Sequence, residues 1–197
     1  MKRKLAAAVL GIIASVSLTS SARAQGRIIF ENYGYDTFAR VNYGPNTGGT
    51  VGTGVNDTFT AGLWYFLGTA TLGVGTGTDS LPTNWEQASV TQQFDSGAAQ
   101  GQVGLFVGPI ATISDYVSGP ITFAVTAYNG TAYGSPTTTA QGHSPGFTLS
   151  SIATGSSQAG EFGPGLASFS VLPVPEPSMF SLSSIGAAAL VVYRRKK

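Results

Sequence analysis

"DTFTAGLWYFLG", residues Asp57 to Gly68, is the densest apolar run in the central part of the chain. Within it, Leu63-Trp64-Tyr65-Phe66-Leu67 puts apolar side chains on both faces of an extended segment. A strand exposed on one side alternates apolar with polar; one covered on both sides does not. The stretch therefore reads as a buried central strand, and the rest of the body is read outward from it.

Other short apolar runs stand around it, separated by Gly, Asn, Pro and Ser. They are "RIIFENY" (Arg27–Tyr33), "GQVGLFVG" (Gly101–Gly108), "ITFAVTAYNG" (Ile121–Gly130), "GFTLS" (Gly146–Ser150) and "ASFSVLPV" (Ala167–Val174). "ARVNY" (Ala39–Tyr43) and "SVTQQF" (Ser89–Phe94) are weaker. Ile121, Phe123 and Val125 alternate with Thr122, Ala124 and Thr126, the period of a half-buried strand. "TNWEQAS" (Thr83–Ser89) reads as a helical turn or two, and no longer amphipathic helix is expected in the body. Six to eight short strands with Gly-rich turns predict an all-β domain, an antiparallel β-sandwich or jelly-roll-like fold. An N-terminal signal helix and a C-terminal transmembrane helix are expected to flank it.

Composition agrees with that class. Of 197 residues 42% are hydrophobic and only 10% charged, against about 25% charged in ordinary soluble domains. The net charge of +1 hides an asymmetry. All four lysines, Lys2, Lys4, Lys196 and Lys197, lie at the ends. Between Gln25 and Pro177 two basic residues, Arg27 and Arg40, face nine acidic ones, a net charge of −7 with His143 neutral. Phosphate backbones need clustered Lys and Arg, so no nucleic-acid partner is expected. The absence of cysteine excludes disulfides, thiolate metal sites, cysteine nucleophiles and lipidated cysteine anchors.

The two ends read as addresses. Lys2-Arg3-Lys4 precedes an apolar run of 14 residues, Leu5 to Leu18, and Ala22-Arg23-Ala24 forms an A-x-A pattern. Residues 1–24 are thus read as a secretory signal peptide, cut between Ala24 and Gln25 by signal peptidase. At the other end Met179 to Tyr193 is a second apolar segment. As a helix its 15 residues would reach about 22 Å, short of a bilayer core of about 30 Å. Arg194, Arg195, Lys196 and Lys197 form a basic stop that should stay cytoplasmic, leaving the body outside. Pro175 and Pro177 push Val174 and Glu176 toward extended geometry, a form suited to an enzyme groove.

This order of parts resembles the PEP-CTERM sorting signal of Gram-negative bacteria with exopolysaccharide-rich envelopes. The matching residues are Val174-Pro175-Glu176-Pro177-Ser178, the apolar run, and Arg194-Arg195. The resemblance implies recognition by an exosortase, a membrane cysteine transpeptidase, with processing near Pro175, Glu176 and Pro177. The chain would then be transient in the inner membrane and end at the cell surface or outside. The body, residues 25–172, loosely resembles a group of such proteins through "RIIFENYG", "GLWYFLG", "ITFAVTAYNGTAYG" and "GHSPGFTLS". That likeness implies no known activity.

The remaining motifs are weighed against plainer readings. "VGTGVND" (Val51–Asp57) is echoed by "VGTGTDS" (Val74–Ser80), and the second resembles a calcium nonapeptide. A β-roll needs several tandem copies, so Gly-rich loops are preferred and no metal or other cofactor is expected. His143, the only histidine, lies in "QGHSPG" and reads as a solvated loop residue, with no nucleophile elbow near it. Nine scattered acids give no positive support for a hydrolase, and no catalytic residues are assigned. Most of Trp64, Tyr65 and Phe66 read as core. Trp85, Tyr128 and Tyr133 are kept as candidates for stacking on a glycan. Asn56-Asp57-Thr58 and Asn129-Gly130-Thr131 read as turn chemistry. The function expected is a non-enzymatic surface or matrix protein. The alternative is a carbohydrate-binding module acting on exopolysaccharide, and a secreted hydrolase ranks third.

Overall fold

The computed structural model describes residues 25–34, 37–75, 77–96 and 102–175. The twelve strands among them are β1 (Gly26–Glu31), β2 (Tyr33–Gly34), β3 (Thr37–Phe38), β4 (Val41–Tyr43), β5 (Thr60–Leu67), β6 (Glu86–Gln93), β7 (Val107–Ile113), β8 (Ile121–Tyr128), β9 (Ala140–His143), β10 (Phe147–Leu149), β11 (Ala153–Thr154) and β12 (Phe169–Pro173). The only helical piece described is a 3-10 turn at Gly163–Gly165. The described body is therefore all-β. No helix among the described residues is long and apolar enough to cross a membrane. The expected signal helix (1–24), transmembrane segment (179–193) and basic stop lie outside the described residues.

β5 and β8 pair antiparallel along their whole length, from Thr60 opposite Tyr128 to Leu67 opposite Ile121. They sit in a sheet of order β4-β12-β9-β8-β5-β6, with β10 also paired to β8. A second sheet has the order β11-β1-β7, and β2 and β3 form a separate hairpin. The antiparallel pattern expected from the sequence has one exception among the paired strands: β12 runs parallel to β4. The larger sheet is thus mixed.

One core joins the two sheets. Ile28 and Phe30 of β1 and Ala111 and Ile113 of β7 meet Ala61, Leu63 and Tyr65 of β5 and Phe123, Val125 and Ala127 of β8. Phenylalanines thread it, with ring centroids 5.3 Å apart for Phe94–Phe106, 4.6 Å for Phe106–Phe30, 6.3 Å for Phe30–Phe162 and 5.2 Å for Phe162–Phe147. Tilted and edge-on ring pairs at these distances add about 0.5–1.5 kcal/mol each beyond burial. A chain without disulfides relies on such packing.

The half-buried strand expected at Ile121–Tyr128 is corrected: all eight residues are buried. The segment between β5 and β6 lies over the other face of the sheet. There Leu72, Leu81 and Trp85 pack with Trp64, Phe66, Ala124 and Tyr133 in a second, smaller cluster. The threonines on this face of β8 bond to the covering chain and to neighbouring strands rather than to water. Thr122 Oγ1 donates to Gly68 O at 2.8 Å and accepts from Ala70 N at 3.0 Å. Thr126 Oγ1 donates to Gly62 O at 3.2 Å. This cover explains why "LWYFL" is apolar on both faces.

Three further expectations are corrected. Glu86–Ser89 is not helical but begins β6, where backbone pairing to β5 outweighs local preference. Val103–Phe106 is not a strand; Gly104, at φ 79°, turns the chain there, and β7 starts at Val107. "AQGH" forms β9, a strand not expected from its composition.

Candidate functional site

The residues named from sequence do not assemble into one site. Pro175 is exposed at the end of the described chain, just after Val174 N donates to Thr139 O at 2.9 Å. Glu176 and Pro177 lie outside the described residues, as do Ala22 and Ala24; Gln25 is exposed just before β1. Trp85 and Tyr128 keep only 5% and 4% of their surface in water. Tyr133 is half-buried, donates its hydroxyl to Asp79 O at 3.0 Å, and stands edge-on to Tyr128 with centroids 6.4 Å apart. These rings belong to the covered outer face and present no open platform.

His143 is corrected from a solvated loop residue to a buried one on β9. Its Nδ1 lies 2.8 Å from Ser144 O, which only accepts, so Nδ1 carries the proton. Burial pushes its pKa down, partly opposed by that bond and by Asp79. Gly75 packs directly on the ring, where a Cβ would collide with the imidazole. Ser144 Oγ, the nearest hydroxyl in sequence, is committed to the sheet: it accepts from Val125 N at 3.0 Å and donates to Pro145 O at 2.9 Å. The serine bridges the break that Pro145 makes between β9 and β10. Among the described residues no three His, Cys, Asp or Glu side chains gather at one point.

An open concave surface lies around the β2–β3 hairpin. The period-two rule sets it up. Asn32 and Ala39 point inward and are buried, so the next residues, Tyr33 and Phe38, point outward. They are cross-strand partners, 46% and 59% exposed, with centroids 5.0 Å apart. The hairpin is fixed from below by Asn32. Its Nδ2 donates to Ala39 O at 2.8 Å and Gly104 O at 2.9 Å, and its Oδ1 accepts from Phe106 N at 2.7 Å.

Two clefts meet at Tyr33. One, of about 420 Å³, is lined among others by Asp57, Gln92, Asp95, Gln102 and Val107. The other, of about 380 Å³, is lined by Glu31, Gly34, Phe38 and Glu161. Both volumes fall in the range of small-ligand sites. Val107, 60% exposed, lines the first cleft and pairs across β1 and β7 with Glu31, which lines the second, so the two clefts are neighbours on the sheet. Burial and the neighbouring Glu161 carboxylate hold the Glu31 carboxyl above its ordinary range. Neither set of lining residues contains a lysine or arginine. Sequence reading missed this site because Tyr33 was absorbed into a strand. The usable signal was the pair of aromatics Tyr33 and Phe38, each next to a residue that must point in.

Comparison with protein-family models, with curated proteins and with solved structures finds no match for this chain.

Proposed function

We propose that this chain is an exported, non-enzymatic surface or matrix protein, a β-sandwich-like body delivered by two disposable ends. The observation that carries the reading is where the folded body starts and stops. β1 begins at Gly26, two residues after the A-x-A pattern. β12 ends at Pro173, and the chain is exposed again at Pro175, the first residue of the Pro-Glu-Pro motif. Cuts by signal peptidase after Ala24 and by an exosortase near Pro175 would leave every strand from β1 to β12 whole. Low charge, few basic groups and many Thr, Ser and Gly between Gln25 and Pro177 suit an environment of polysaccharide.

The PEP-CTERM assignment rests on Pro175-Glu176-Pro177, the apolar segment 179–193 and Arg194 to Lys197. Its test is Glu176→Ala in a strain that secretes the protein. The expected result is accumulation of an unprocessed form in the inner-membrane fraction. Unchanged release of the variant would remove the sorting role of the motif. Binding of exopolysaccharide is a second reading, favoured by the two clefts at Tyr33.

A further inference from the structure

We infer that the clefts on either side of Tyr33 form a binding site for a neutral, hydroxyl-rich polysaccharide, engaged over at least two consecutive sugar rings. The inference rests on the reading of the protein as an exported surface component.

The chemistry of the lining points to this ligand. Tyr33 and Phe38 offer exposed ring faces and edges to the apolar C–H side of a pyranose. Gln92 and Gln102 each carry a donor pair and an acceptor, the set that reads neighbouring hydroxyls. Glu31 and Asp57 add acceptors that take hydroxyl protons. The same carboxylates, with no cation among the lining residues, oppose uronate, sulfate and phosphate groups. Tyr33 borders both clefts, so one ring stacked there has room for a neighbour on each side. Open clefts that meet at a surface ring fit a chain passing across rather than a small molecule enclosed.

The site also has a stable floor. Glu31 belongs to β1, Gln92 to β6 and Val107 to β7, three strands that pack side by side, and Asn32 locks the hairpin to them. The binding groups are therefore placed before the sugar arrives, which lowers the cost of ordering them.

Affinity electrophoresis of the full chain in mild detergent tests the proposal. The gels contain a neutral β-glucan, a neutral mannan or anionic alginate. Retardation by at least one neutral polymer, with none by alginate, is expected. The double variant Tyr33→Ala/Phe38→Ala should weaken the retardation at least about tenfold. Gln92→Ala should weaken it less, and Val117→Ala, at an exposed residue outside both clefts, should leave it unchanged. Both aromatics are on the surface, and a matched melting temperature checks folding of each variant. The site is overturned if neutral polymers retard wild type and double variant equally, although the protein would still be a saccharide binder. It is also overturned if no neutral polymer retards wild type. In that case self-association that the double variant abolishes would assign the patch to a second copy of the chain. Neither result bears on export, which is read from fractionation.

Discussion

Asn32 ends the ladder of β1 and continues it with its own amide. Three backbone groups, from Ala39, Gly104 and Phe106, bond to this one buried side chain, and Gly104 O also accepts from Val41 N at 3.0 Å. Asn32→Ala leaves Ala39 O and Phe106 N without partners away from water, which costs about 2–4 kcal/mol. Asn32→Asp should be no better, because a carboxylate cannot donate to the two carbonyls. Urea unfolding measures both, and a loss below about 0.5 kcal/mol would remove the staple role. His143 makes a different prediction. Its folded pKa lies below the ordinary 6.5, chiefly through burial, so the unfolded chain binds the proton more readily. This contribution to stability is complete above about pH 6.5 and is lost as the pH falls toward the folded value. Wild type should therefore lose stability between about pH 7 and pH 5, and His143→Gln should lose less over that window. Equal slopes would show that another group governs it. Neither residue declared itself in the sequence. A lone histidine before Ser-Pro looks like a loop, and only the pairing of Ser144 with Val125 shows a strand interrupted by proline.

The strands themselves were largely legible. β5, β8, β10 and β12 fall within the apolar runs, and β1 starts one residue before its run, because side-chain pattern reports backbone pairing directly. Three features were not. β9 is small and polar, and its strand state comes from β8 on one side and β12 on the other. β7 runs from Val107 to Ile113, past the apolar run that ends at Gly108, and its pairing with β1 leaves no local pattern. The burial of Thr122 and Thr126 depends on chain more than forty residues away in sequence, which no local period reports. That cover gives a prediction at the scale of the element. Thr122→Val keeps the shape of the side chain but leaves Gly68 O and Ala70 N without their partner. Amide hydrogen exchange should quicken at Ala70, and at Gly146, whose N–H donates to Leu72 O. Global stability should fall by about 1–3 kcal/mol. Unchanged exchange at both positions would mean that the apolar cluster alone holds the segment down.

At the scale of the molecule, the body is two sheets around one core with a second face sealed by its own connection. The all-β class was legible from composition and turn spacing. The Tyr33 site was not, because exposure of an aromatic depends on which of its neighbours is buried. The two ends follow a different logic. They are read from order and charge along the chain. The most direct measurement is the intact mass of the wild-type protein recovered from its final location in the producing cell. The account gives a chain that starts at Gln25 and ends near Pro175-Glu176-Pro177, without residues 179–197. Recovery of a chain that still carries Met179 to Lys197 would contradict it and leave a simple membrane anchor.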